Sequence, residues 1–296
     1  MARKEGTGSA AATRWLGGIA ELARRFDGFI LDQWGVLHDG VRAYPGVREA
    51  LEALRRHGKR LVVLSNSARR RARAEQTLAA LGIDPKGFDA IVTSGELAWR
   101  ALKEGRIAEL HGCGRRCLLI MREGDRSVVE GLDLHIVEDP DEADFLFISG
   151  IDTPQARVED YRPLLEAAAR RGLVAICSNP DLLAPSPAGL LPAPGALAQL
   201  YRRLGGRVVA FGKPDPRAVE SCLAALAPLP RGKVVLVGDS LTHDIRAAAA
   251  ADIASCLVTG GLHREVFRTA APEQALARLA AEVGVRPAFA MPAFRW

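Results

Sequence analysis

Four polar groups in this chain each follow a short apolar run, and their types together suit phosphoryl transfer. Asp32 comes directly after Phe29-Ile30-Leu31, and Ser65 with Asn66 after Leu61 to Leu64. Lys213 follows Arg207 to Phe211, and Asp239 follows Lys233 to Val237, with Asp244 near the start of the next helix. A carboxylate at the carboxyl end of a buried parallel strand stands where open α/β sheets bind their ligands. Asp32 placed there can attack phosphorus and form an acyl-phosphate. Asp32 and Asp239 can share a Mg²⁺, a hard ion that takes few protein oxygens and keeps several waters. Ser65 and the backbone around Asn66 can donate to phosphate oxygens, while Lys213 offsets the phosphoryl charge and separates the two carboxylates. Taken singly, Asp32-x-x-Gly35 and Gly212-Lys213-Pro214 read as turns. The four in this order, each at a strand end, point to chemistry.

The elements that must position these groups alternate between strand and helix, which predicts a largely parallel, doubly wound (Rossmann-like) sheet with helices on both faces. Pro45-Gly46 introduces a helix with Val47, Ala50, Leu51 and Leu54 on one face. A basic helix follows Ser65-Asn66-Ser67 and ends near Leu81, where Gly82 closes it. Asp89 to Thr93 reads as the next strand, and Ser94-Gly95-Glu96 opens another helix. The runs Cys117–Met121, Leu134–Val137, Phe145–Ser149 and Leu173–Cys177 form a second α/β unit. The Pro-rich stretch from Ala184 to Gly195 reads as a hinge that returns the chain to the first unit, with the strand 207–211 already back in it.

Composition removes several classes of function. With 296 residues, 48% hydrophobic and 25% charged, the chain has the profile of an ordinary globular protein with a real core. No apolar run nears the roughly 20 residues of a membrane span, so no membrane role is expected. The basic amino terminus is followed by no apolar stretch of signal-peptide type. The net charge of +5 is nearly all Arg scattered along helices beside Glu and Asp, and aromatic content is 5%, so no nucleic-acid platform is expected. A basic field of this kind can still draw in a small anionic substrate. Five scattered cysteines, at 113, 117, 177, 222 and 256, suit reduced thiols and a cytoplasmic location. His111, Cys113 and Cys117 lack a second ligand pair for zinc.

In these motifs the chain resembles the haloacid dehalogenase superfamily, and within it the NagD-like phosphatases of subfamily IIA, which carry a large α/β cap. The resemblance rests on Asp32-x-x-Gly35, Ser65-Asn66, Ser94-Gly95-Glu96, Asn179-Pro180-Asp181, Gly212-Lys213-Pro214 and Gly238-Asp239-Ser240-Leu241-x-x-Asp244, from about Asp27 to Leu262. It implies Asp32 as nucleophile, Ser65 as phosphate-binding hydroxyl, and Lys213 as motif lysine. It further implies Asp239 as metal-binding acid with Asp244 in support, the residue-34 carbonyl as a metal ligand, and Mg²⁺ as cofactor. The implied organisation is an extension over 1–26, a core over 27–111 and 194–270, an inserted cap over 112–193, and a C-terminal helix and tail over 271–296. One position departs from the pattern. Phosphatases of this superfamily carry an Asp two residues after the nucleophile as general acid and base, and here that residue is Trp34. His38, in the flap after the nucleophile loop, is a candidate proton donor, and Asp152 and Asp181 are candidate substrate contacts from the cap side. The expected activity is Mg²⁺-dependent hydrolysis of a small phosphorylated metabolite. The alternatives are cleavage of another bond, as in a dehalogenase or phosphonate hydrolase, or a disabled scaffold that binds a ligand. A homodimer is left open.

Overall fold

The computed structural model describes residues 12–122, 124–153, 155–186 and 189–296, so most of the basic amino-terminal stretch lies outside the described residues. The strands in chain order are β1 (Arg14–Trp15), β2 (Gly28–Leu31), β3 (Arg60–Ser65), β4 (Ala90–Thr93), β5 (Arg116–Ile120), β6 (His135–Val137) and β7 (Phe145–Ile148). They continue as β8 (Val174–Cys177), β9 (Leu183–Ser186), β10 (Gly189–Pro192), β11 (Arg207–Ala210), β12 (Val234–Gly238), β13 (Ala254–Val258) and β14 (Phe289–Met291). One sheet has the order β1-β14-β13-β12-β2-β3-β4 and another the order β11-β8-β7-β5-β6. Every pairing in both is parallel. The architecture is thus the expected doubly wound α/β core with an inserted α/β cap.

Both faces of the central core strands are buried, which is why those strands read as continuous apolar runs rather than alternating ones. Phe29, Leu31, Val63 and Val237 join one cluster, with Val47, Leu51 and Leu54 from the helix Val47–Arg56. Ile30, Val62, Leu64 and Leu236 point the other way, onto Val219, Cys222 and Leu226 of the helix Pro216–Leu226. The order places β2 centrally. The chain runs outward from it through β3 and β4, then returns to its other side at β12. That is the topological switch point at which such sheets open a ligand crevice.

Three expectations about chain path are corrected. The helix Pro194–Arg203 and β11 belong to the cap: β11 pairs with β8, and Leu197, Leu200 and Tyr201 pack with Ile148, Leu165 and Ala175. The return to the core therefore comes after Phe211 rather than at 194. A parallel β–α–β unit needs its crossover helix and its second strand together, and that pairing overrides the break suggested by the prolines. The Pro-rich stretch itself forms the antiparallel hairpin β9–β10. At the other extreme, parts of the expected extension and tail are core, since Arg14–Trp15 pairs with Phe289–Met291 at the sheet edge.

Among the described residues no helix is long and apolar enough to cross a membrane. All five cysteines are free thiols.

Candidate active site

Three of the predicted groups sit at the ends of three adjacent strands. Asp32 directly follows β2, where its backbone N–H donates to the Val237 carbonyl at 2.9 Å. Ser65 ends β3, and Asp239 follows β12. Lys213 arrives by a different route from the one expected. It lies just beyond the cap strand β11, where the chain crosses back, and enters the core from above. Its Nζ donates to Asp32 Oδ1 at 2.5 Å, Asp244 Oδ1 at 2.7 Å and the Leu64 carbonyl at 3.2 Å, so all three ammonium protons are used. Asn66 fixes this crossing. Its Oδ1 accepts from the Lys213 N–H at 2.7 Å while its Nδ2 donates to the Lys213 carbonyl at 3.0 Å and to Asp181 Oδ1 at 2.7 Å. Asn66→Ala leaves the buried Lys213 N–H without its acceptor, and destabilisation by about 1–3 kcal/mol is expected. Urea unfolding at unchanged slope is the measurement.

The electrostatics follow from burial. Asp32, Asp239 and Asp244 are all buried and offer oxygens within 4.8 Å of one another, against one ammonium. Burial is the largest influence on Asp32, opposed by Lys213 and reinforced by Asp244, and its carboxyl is pushed up to about 7. Asp239 is raised well above the ordinary range by burial and then by Asp32 and Asp244. Burial alone would lower the Lys213 ammonium, but Asp244 and Asp32 outweigh it and hold it above its usual value. An excess of buried negative charge of this kind is what a divalent cation relieves. Among the described residues these three form the group of ligand-type side chains close enough to share an ion.

The roles within the trio differ. Asp244 has Oδ1 on Lys213 and Oδ2 accepting from the Ser240 N–H at 3.1 Å. Asp239 Oδ2 accepts the Leu262 N–H at 2.7 Å. Gly35 packs against that carboxylate: with φ at +76°, a Cβ there would lie 1.7 Å from Asp239 Oδ2. The loop after Asp32 thus needs glycine both for its conformation and for the close approach.

The segment after Asp32 corrects one expectation. His38 is 1% exposed, and burial lowers its pKa to about 4, so it is neutral near pH 7. Its Nδ1 accepts the Gly40 N–H at 3.0 Å, and its ring meets Trp34 edge-on at 5.3 Å between centroids. A neutral imidazole buried beneath the loop is a packing group, and His38 is not among the residues that line the cavity between core and cap. Trp34 does line that space. Its indole lies over Gly40, where a Cβ would come within 2.0 Å of the ring.

A cavity of about 810 Å³ opens between core and cap, with Asp32, Trp34, Lys213 and Asp239 on the core side and Arg122 and Asp181 on the cap side. Asp181 lines the cavity and bridges the two units through Asn66. Asp152 is not brought in: it is exposed and tied to Tyr161, whose hydroxyl donates to its Oδ2 at 3.0 Å. Sequence reading passed over His243, which lines the cavity with Nε2 3.6 Å from Asp181 Oδ1 and Nδ1 3.2 Å from Ser240 Oγ. Its place inside the Gly238–Asp244 motif was the available signal. The Leu262 N–H could not be found from residue type, because any non-proline residue supplies one.

Comparison with known proteins settles the family. A haloacid dehalogenase-like hydrolase family profile matches residues 99–252, and a second of the same description matches 29–135. The chain belongs to the haloacid dehalogenase-like hydrolases. Its relatives are NagD-like phosphatases. The chain is 29% identical to sugar-phosphatase AraL of Bacillus subtilis over 79% of this chain and 83% of that protein. A haloacid dehalogenase-like hydrolase from Brucella suis superposes with a TM-score of 0.80 at 27% identity, over 94% of this chain and 99% of that one. Glycerol phosphate phosphatase from Mycobacterium tuberculosis, solved in complex with calcium, gives 0.62 at 26% identity, over 81% and 68%. The fold, the hydrolase class and the resemblance drawn from the motifs therefore stand.

Proposed function

We propose that this hydrolase removes a phosphoryl group from a small phosphorylated metabolite through a covalent intermediate on Asp32. The observation that carries the reading is the meeting of Asp32, Ser65, Lys213 and Asp239 at the ends of β2, β3 and β12 and at the cap crossing, facing the cavity between core and cap. In the first step an Asp32 oxygen forms a bond to phosphorus as the bond from phosphorus to the ester oxygen breaks. The alcohol leaves with a proton from solvent or from its own surroundings. In the second step water attacks the acyl-phosphate, releases inorganic phosphate and restores the Asp32 carboxylate. Ser65 and the backbone beside it would hold the phosphate oxygens, and Lys213 would offset their charge. Asp32, Asp239 and the carbonyl of Trp34 would hold a Mg²⁺, with Asp244 fixing Lys213 and the Ser240 turn. The ion, when bound, supplies charge neutralisation at the transferring phosphoryl group. The names of the sugar and glycerol phosphate phosphatases it resembles support the substrate class.

Trp34 gives the reading its sharpest test. General acid–base catalysis typically contributes ~10²–10⁴-fold, most where the leaving group is a poor one. With an indole in the acid position, aryl and acyl phosphates are expected to be cleaved much faster than alkyl phosphates. Trp34→Asp should raise the rate on alkyl phosphates by about tenfold or more, a fraction of that range, since the new carboxyl sits in an unoptimised site. The same residue supports a second reading, in which the native leaving group needs no proton, as with a halide. If Trp34→Asp leaves alkyl phosphates untouched and no phosphate ester is turned over with Mg²⁺, the second reading replaces the first.

A further inference from the structure

Two arginines line the cavity from opposite units. Arg69 lies four positions beyond Ser65 in the loop that follows β3, and Arg122 lies just beyond β5 of the cap. Their neighbours show how unusual this is. Arg70 is bonded to Glu96 at 2.7 Å and stacked over Trp99 at 3.7 Å, and Arg71 is bonded to Glu75 at 2.7 Å. Among the described residues no carboxylate forms an ion pair with Arg69 or Arg122. Asp125, the acid on the same side of the cavity, is engaged by Ser127, whose backbone N–H donates to its Oδ1 at 3.2 Å.

The base of Arg69 is fixed. Its carbonyl accepts from Thr93 Oγ1 at 2.7 Å, and the Gly95 N–H donates to the Ser67 carbonyl at 3.0 Å. The Ser94-Gly95-Glu96 motif thus clamps the whole loop from Ser65 to Arg70. The guanidinium is half-buried, and burial together with Arg122 and Arg73 holds its pKa below the ordinary value, with only Asp125 opposing. Arg122 adds like charge beside the half-buried Arg69 guanidinium on the wall of the same cavity, and an anion bound between them would relieve it. Planar guanidinium forks suit carboxylate and phosphate oxygens in particular. The Cα atoms of Ser65 and Arg69 lie at most about 14 Å apart by chain length, so one small molecule can reach both.

We infer that Arg69 and Arg122 form a second anion subsite, and that the substrate is a phosphate ester carrying a further carboxylate or phosphate on its alcohol portion. This inference rests on the phosphatase reading and narrows it. It separates this chain from relatives named for sugar or glycerol phosphates, whose alcohol portions are neutral. The phosphoryl group to be removed lies at Asp32 and Lys213, while the second anion is held between core and cap by Arg69 and Arg122.

The test compares matched aryl esters with Mg²⁺ present: carbamoylphenyl phosphate, carboxyphenyl phosphate and phosphonophenyl phosphate, in meta and para isomers. The carbamoyl and carboxyl esters differ in charge with little change in leaving-group acidity. Wild-type kcat/KM is expected to favour at least one anionic ester by about tenfold to a hundredfold, the range of a charge-assisted contact. The carboxylate and phosphonate arms decide between the two kinds of second anion. Arg122→Gln and Arg69→Gln should shrink that ratio toward one through a raised KM on the anionic ester. Arg122 is exposed, so its variant is expected to fold. A ratio near one in wild type, or a ratio unchanged in Arg122→Gln, would overturn the subsite while hydrolysis of the neutral ester kept the phosphatase reading. Absence of turnover on all three esters would overturn both.

Discussion

Asp32→Asn should lower kcat by roughly four to six orders of magnitude, the scale seen when a covalent nucleophile is removed from a site that keeps its binding groups. An amide has no anionic oxygen to attack phosphorus, whereas Ser65, Lys213 and the strand ends stay in place. The variant should also be folded, and the pH dependence of stability shows why. Asp32 has a folded-state pKa of about 7, above its unfolded value near 3.9. The folded state therefore binds the proton more tightly, so this group's effect on stability worsens as pH rises from about 4 and levels off above about 7. Without metal, Asn at this position escapes that penalty. The Tm of Asp32→Asn relative to wild type should then climb across that window, measured by thermal melts in chelator between pH 4 and 8. Residual turnover within tenfold of wild type in the folded variant would rule out covalent catalysis at Asp32.

What the sequence could reveal is local pattern rather than spatial context. Asp32, Ser65 and Asp239 were legible because each ends a fully buried strand, and a continuous apolar run followed by a polar residue survives in any representation of the chain. Lys213 was legible by type but not by route. The run from 207 to 211 looks alike whether it pairs in the core or in the cap, since apolar periodicity says nothing about which sheet accepts a strand. The two-residue β1 and three-residue β14 are too short for any periodic signal. In the cap the strand-end rule nominated Asp152, yet the turn after Ser149-Gly150 leaves that residue outside the cavity, tied to Tyr161. The same rule applied to β5 would have nominated Arg122. His38 failed for a different reason. Its residue type suits proton transfer, but burial beneath Trp34 takes away both its charge and its access, and burial of a loop side chain is a property of packing rather than of local sequence.

Metal removal should have the second-largest effect. Three buried carboxylates against one ammonium leave the site with an excess of two negative charges when all are ionised, and one Mg²⁺ would balance it. A phosphate adds further negative charge to the same space, so without the ion substrate and Asp32 repel each other. Chelation, or Asp239→Ala at ordinary Mg²⁺ concentrations, is therefore expected to cost at least about a thousandfold in kcat/KM, of the order lost with other electrostatic stabilisers of the transition state. Asp244→Asn should differ in kind. Its carboxylate is already shared between Lys213 and the Ser240 N–H, so the variant should disturb Lys213 more than ion affinity. A binding readout free of turnover separates the two. Mg²⁺ at a hundred times its Kd should stabilise the folded protein by about 2.7 kcal/mol, and Asp239→Ala should lose that stabilisation. Protons compete with the ion for Asp32 and Asp239, both raised by burial, so the Mg²⁺-induced rise in Tm should fade as pH drops below about 7. Full activity in chelator, with a Tm indifferent to Mg²⁺ at pH 8, would remove the metal from the mechanism and leave the trio as a bare acidic pocket. Cleavage of a bond whose leaving group needs neither proton nor metal would then become the better account of Trp34.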